Sequence, residues 1–260
     1  MGEDANKKYI VSLIEKNLRV DGRALDKYRD IVIEYGVSSK SAEGSARVTI
    51  GDTIVVAGVK FEVGEPFPDK PDEGTIVVNA ELLPLSSPEF ESGPPDVQSI
   101  ELARVVDRGI RESKAIDFKK LCIKEGEKVW LIFIDIYPIN DAGNLFDAAA
   151  LAAFAAVKDA RFPKYDEQLD KVVYDERTDK KLPLENLPVA CTVIKINGKL
   201  LVDPTTEEEQ AMDARLTVAT LENGNICAMQ KGGHKPLSHS DIMKMVELAS
   251  EKAKELRKLL

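Results

Sequence analysis

Apolar residues recur along this chain with two different periods, and the changes between them mark its elements. From 7 to 18, Ile10, Leu13, Ile14 and Leu18 return at steps of three and four, which predicts a short amphipathic helix. Segments rich in Val, Ile and Thr, separated by Gly, Asp or Pro, then predict strands at 30–34, 46–50, 53–63 and 75–83. Residues 84–96, PLSSPEFESGPPD, carry four prolines and read as an ordered surface loop. The helical period resumes at 100–117, IELARVVDRGIRESKAID. Here Leu102, Val105, Val106, Gly109, Ile110 and Ile116 share one side, and at about 100° per residue Arg104, Arg108 and Arg111 fall within roughly 60° of one another on the other. Strands at 120–123 and 128–137 flank a turn at Glu125-Gly126. The helix expected next, 144–159, is apolar on every side and heavy in alanine, so it belongs at the centre with neighbours packed closely around it. A polar stretch follows at 161–186, then strands at 188–196, 199–202, 215–219 and 226–231, and a last helix from 238 to the end.

Strands followed by a helix occur twice, which predicts an α+β fold. The arrangement is a single domain over 1–260, with a first half at about 30–118 and a second at about 188–258 packed around the central helix. A chain of 260 residues with 43% hydrophobic content can bury a substantial core. No stretch approaches the ~20 apolar residues of a membrane span, and the start, MGEDANKKYI, lacks a signal-peptide pattern, so the expected compartment is the cytoplasm. Cys122, Cys191 and Cys227 lie far apart without metal-ligand spacing and read as buried thiols.

A net charge of −9 excludes a protein that coats nucleic acid with its whole surface. Any polyanion must meet a local patch, and the arginine row is the one on offer. Arg104 and Arg108 are like charges four apart, which costs an isolated helix a few tenths of a kcal/mol. On the helix alone the row reads first as a solvated face, trimmed by Glu101 and Glu112. His234 and His239 belong to no triad or metal-ligand pattern. The turn Asp141-Ala142-Gly143-Asn144 opens the central helix, whose free N–H groups could face an anion; with Asp141 in it and no Ser, Thr or Arg following, it reads as a helix cap. Asp203, Glu207, Glu208, Glu209 and Asp213 could hold Mg²⁺ or supply an acid. With no basic partner evident they read instead as acidic residues at a helix start. No catalytic or metal-binding residue and no cofactor is expected.

Together, RVDGR at Arg19 to Arg23, Arg29 in KYRDI, the block FEVGEPFPDKPDEGTIVVNAELLPLSSPEFESGPPD and the arginine helix resemble the RNase PH-like subunits of the archaeal RNA exosome, over nearly the whole chain. The resemblance is to the non-catalytic kind of subunit. It implies an RNase PH-like fold and a hexameric ring of three heterodimers with a catalytic RNase PH-like partner. It also implies RNA-binding cap proteins on the ring and single-stranded RNA threaded to phosphorolytic sites carried by the partner. Catalytic members hold inorganic phosphate with Gly-Gly-Ser/Thr-Arg or similar at the central-helix turn, where this chain has Ala142-Gly143-Asn144-Leu145. They also carry an aspartate six residues before an Ala-Asp pair. Counting back from Asp213 reaches Glu207, and Met212 replaces the alanine. Related subunits hold RNA phosphates with arginines that match Arg104 and Arg108; Arg111 is a weaker match. The rival expectations are an independently active phosphate-dependent exoribonuclease using Glu207 or Asp213, and an architectural ring subunit without RNA contact.

Overall fold

The period-two segments that precede the alanine-rich helix join in one mixed sheet. The computed structural model describes residues 3–166, 168–169 and 171–260; Met1, Gly2 and, within the stretch read as polar, Glu167 and Asp170 lie outside the described residues. Strands β1 (Ile31–Tyr35), β2 (Gly44–Ile50) and β3 (Thr53–Gly64) form a meander, β4 is Thr75–Ala80, β5 is Cys122–Lys124 and β6 is Lys128–Asn140. The order is β1-β2-β3-β6-β4, with β5 also on β6. Among the described residues only the β4–β6 pair is parallel, and a parallel pair needs a crossover. Helix α2 (Val97–Arg111) supplies it and therefore lies beside β4 at the sheet's outer edge. This sheet does not end at residue 118, because β6 pairs with both β3 and β4. The first half is longer than the run of strands before α2 suggested.

Alternation places Val55, Ala57, Val59 and Phe61 of β3, and Ile132, Ile134 and Ile136 of β6, on a fully buried face. Helix α3 (Leu145–Asp159) packs there, and ten of its residues are buried. Small side chains permit a close approach: a Cβ on Gly44 would stand 2.4 Å from the carbonyl oxygen of Ala156.

The second sheet is β10-β9-β11-β12, from β9 (Val189–Ile196), β10 (Lys199–Val202), β11 (Ala214–Thr220) and β12 (Ile226–Gly232). Helix α5 (His239–Arg257) buries Met245, Ala249, Ala253 and Leu256, and starts at Ser238 through a capping box with Asp241. Helix α1 (Glu3–Glu15) packs Ile10 and Ile14 on Ile194, Ile196 and Leu201, beside the short α4 (Thr206–Ala211).

Three expectations change. Helix α1 begins earlier than 7 and stops at Glu15, where Asn17 takes a left-handed conformation (φ 57°) and turns the chain. Helix α2 stops at Arg111 rather than near Asp117. Lys114 turns left-handed (φ 50°), so Ala115 and Ile116 enter the core as extended chain, with Ile116 bridging Leu184. The polar stretch contains a hairpin, β7 (Arg161–Asp166) with β8 (Lys171–Lys181), whose charged residues masked the alternation.

Candidate nucleic-acid interface

Helix α2 begins where Asp96 accepts a hydrogen bond from the Ser99 amide at 2.8 Å, and it buries Leu102, Ala103, Val106 and Ile110. Burial of that stripe turns the arginines outward. Arg104 is exposed and has no hydrogen-bond or ion-pair partner among the described residues, while Arg108 is exposed and reaches only Gln230 Oε1, at 3.4 Å. Arg111 is different. Its Nε and Nη2 donate to Asp107 at 3.0 and 2.7 Å, and Nη2 donates to the Ile76 carbonyl of β4 at 2.9 Å. Asp107 thereby holds the Arg111 guanidinium in its charged form, and Arg111 fastens the helix to the sheet. The presumed trimming carboxylates stand elsewhere: Glu101 pairs with Arg215 at 2.6 Å, and Glu112 pairs with neither Arg104 nor Arg108. Between α2 and β4 lies a groove of about 300 Å³ lined by Val77, Val78, Arg104, Asp107 and Arg108.

The turn before α3 is engaged by the chain's own groups. Asn144 occupies the N-cap in a left-handed conformation (φ 63°), and its side chain does not cap the helix. Its amide donates instead to Glu209 Oε1 of α4 at 2.9 Å. Asp141, expected in a cap, accepts from the Gly143 amide at 2.9 Å and closes the turn instead. A Cβ on Gly143 (φ 89°) would lie 2.5 Å from the Pro204 carbonyl, so the segment before α4 presses directly on the turn. Burial drives the Glu209 carboxyl up to about 7, and nearby Asp141 adds to the rise. Burial likewise lifts Asp147, in the first turn of α3, to about 6. The adjoining cleft, of about 420 Å³, is lined by Phe90, Glu101, Asp141, Phe146, Glu209 and Arg215. With Glu89 the lining carries four carboxylates, against one guanidinium, that of Arg215, stacked 4.1 Å over the Phe146 ring.

The acidic segment does have basic partners, brought from the far end of the chain. Asp203 is fully buried and accepts from Arg29 Nε and Nη2 at 2.9 and 2.7 Å and from Arg23 Nη1 at 2.6 Å. Burial alone would raise its carboxyl, but the bonds and charge of Arg29, with Arg23, hold it below the usual carboxylate range. Arg19 donates to both oxygens of Glu208, at 2.8 and 2.6 Å. Asp213 pairs with Lys235 at 2.7 Å. Glu207 is exposed and does not line the cleft. Among the described residues, no three His, Cys, Asp or Glu side chains are grouped to hold a metal ion. His234 lies at the cleft's edge and His239 opens α5. Of the cysteines, Cys191 alone is fully buried, while Cys122 and Cys227 are half-buried. Among the described residues, no helix is long and apolar enough to cross a membrane.

Comparison with known proteins fits this layout. Residues 27–163 match the 3′ exoribonuclease family (RNase PH), domain 1, and residues 186–252 match its domain 2. The chain belongs to the RNase PH family. The first RNase PH unit spans β1 through α3 and the second spans β9 through most of α5, so each holds one of the two large sheets. Among curated relatives, the exosome complex component Rrp42 of Methanothermobacter thermautotrophicus is 49% identical, over 97% of this chain and 93% of its own. That of Archaeoglobus fulgidus is 48% identical, over 98% of this chain and 95% of its own. In the Archaeoglobus fulgidus exosome with RNA bound to the active site, a chain 48% identical matches with a TM-score of 0.91, covering 98% of both chains. A chain of an archaeal exosome core matches with a TM-score of 0.87 at 45% identity, covering 98% of this chain and 96% of that one.

Three features of the site escaped sequence reasoning. Arg19, Arg23 and Arg29 stood out as a motif without a role, and their carboxylate partners lie 174 to 189 residues away. Arg215 gave no signal, because its partner Glu101 was assigned to the arginine row. Glu209 was one acid among five, and only the path of α4 over the α3 turn distinguishes it.

Proposed function

We propose that this chain is the non-catalytic subunit of an RNA exosome ring. It pairs with a catalytic RNase PH-like subunit, as three heterodimers in a hexamer beneath RNA-binding cap proteins, and helps structure the partner's active site. It grips single-stranded RNA through Arg104 and Arg108 on the path to 3′-to-5′ phosphorolysis. One observation carries the non-catalytic reading: the chain's own carboxylate, Glu209, takes the amide that opens α3. Phosphorolysis needs a bound phosphate that is positioned and charge-stabilised. Here the amide is occupied, the adjoining cleft is lined by carboxylates, and Glu207 stands outside it. Without a seat for phosphate, a remaining acid contributes little rate.

The RNA role is supported by two exposed guanidinium groups that have no carboxylate partner among the described residues of an acidic protein. Arginine binds phosphate through a planar fork, and backbone contacts grip RNA regardless of sequence. Three copies around a ring multiply the effect. The test is release of nucleoside diphosphates from oligoadenylate with inorganic phosphate, for the chain alone, its catalytic partner alone and the mixture, with assembly followed by sizing. The chain alone should release nothing. The mixture should be active, and Arg104→Glu with Arg108→Glu should depress its activity while leaving the ring intact. Release by the isolated chain would make it an enzyme in its own right; undiminished decay by the double variant would make it architectural.

A further inference from the structure

Strand β4 is the last strand of the first sheet on its side, so one edge of its backbone has no neighbouring strand. Such an edge presents unpaired N–H and C=O groups. Which residues face outward follows from three hydrogen bonds. The Gly74 amide donates to the Phe118 carbonyl at 3.0 Å, away from β6, and the Ile76 carbonyl accepts from Arg111 Nη2 at 2.9 Å on the same outer side. The Glu81 amide donates inward, to Ile136 of β6, at 3.0 Å. In a parallel ladder, backbone groups alternate between the two edges. The even-numbered residues of β4 therefore turn outward, and the odd-numbered ones serve β6.

Arg111 takes the first of these outward groups and ties α2 down. The next is the peptide of Val78, two residues farther along, whose N–H has no partner among the described residues. Val78 lines the groove between β4 and α2, and Arg104 and Arg108 line it too. One wall thus carries two guanidinium groups, and the other carries a backbone donor on a rigid strand. An anion in between could accept from both walls.

We propose that an RNA phosphate sits in this groove, held by the Arg104 and Arg108 guanidiniums and accepting a hydrogen bond from the Val78 backbone N–H. This rests on the RNA-binding reading above and names a contact that reading lacks. The strand does what the flexible arginines cannot. A long side chain attracts phosphate from many positions, whereas a peptide N–H locked in a sheet defines one, so the amide sets the register of the RNA backbone. The groove's acid, Asp107, does not oppose the phosphate, since Arg111 neutralises it at 2.7 Å.

The test uses the chain assembled with its catalytic partner and measures oligouridylate binding across a salt series. Val78→Pro removes the N–H at an edge position where proline is tolerated. Losing one hydrogen bond to a charged group should weaken binding by about tenfold or more. The salt slope should stay unchanged, because no charge is removed. Arg104→Ala and Arg108→Ala should each weaken binding and lower the slope by about 0.7. If the arginine variants behave this way while Val78→Pro binds like the wild type, the amide contact is refuted and the RNA reading stands. If the arginine variants also bind like the wild type, the RNA reading itself fails. Should Val78→Pro not assemble, an ester in place of the peptide at 78, introduced as the α-hydroxy analogue of valine, deletes the N–H alone and must give the same loss.

Discussion

Replacing Glu209 by Gln should make this protein more stable at neutral pH and remove most of its stability's dependence on pH between 6 and 8. The Glu209 carboxyl rises from an ordinary value of 4.5 to about 7 in the folded chain, chiefly through burial. The folded state therefore holds this proton more tightly than the unfolded state does. A raised acid gives its full benefit below pH 4.5, and that benefit is lost as pH climbs through 7. With each pKa unit worth 1.36 kcal/mol, the whole loss is about 3 kcal/mol, of which about 1 kcal/mol falls between pH 6 and 8. Asp147, raised to about 6, acts in the same direction at lower pH, so the window above 6 reports mainly on Glu209. Glutamine keeps an oxygen that can accept from the Asn144 amide but carries no charge to desolvate. Urea unfolding of the isolated chain at half-unit pH steps should show wild-type stability falling from pH 6 to 8 and a flatter profile for the variant, which is the more stable at pH 8. A wild-type profile that rises with pH over this window, or equal slopes in the two proteins, would refute the placement of a poorly solvated carboxylate on the α3 turn.

Three further outcomes follow from individual contacts. Arg111→Ala should lower stability in urea unfolding by about 1–2 kcal/mol through loss of the Asp107 pair and the Ile76 carbonyl bond, and the Asp107 carboxylate it releases into the groove should weaken RNA binding by the assembled ring. Arg19→Ala strands the buried Glu208 carboxylate and should cost about 3–5 kcal/mol in urea unfolding, far more than removal of an exposed partner such as Arg47 from its pair with Glu34. Gly44→Ala drives a methyl group into the Ala156 carbonyl, so thermal unfolding should show a loss of about 1–3 kcal/mol or more.

The amphipathic period of α2 was readable in the sequence because burial of one stripe depends only on local spacing, and the structure leaves Arg104 and Arg108 exposed. Helix α3 was equally legible, since fifteen residues without a polar face have nowhere stable but the interior. The hairpin β7–β8 was not. Its strands are rich in charge, and the buried residues of β7, Phe162 and Pro163, are adjacent instead of alternating, so no period of two marks the strand. The end of α2 was missed because Ile116 satisfies a helical period and an extended bridge alike; contact with Leu184 decides between them.

By itself, then, the sequence determined where apolar stripes lie, which residues α2 must expose, and that the alanine-rich helix is central. Those are properties of neighbours within a few turns. Tertiary structure alone decided which charges remain free. Arg111 is claimed by Asp107 and β4, Glu101 by Arg215, and Asp203 and Glu208 by arginines from the other end of the chain. It also decided that Glu209 would seat itself on the α3 turn. A charge is neutralised by whatever lies within about 4 Å in space, and the spacing of residues along a chain carries no record of that distance.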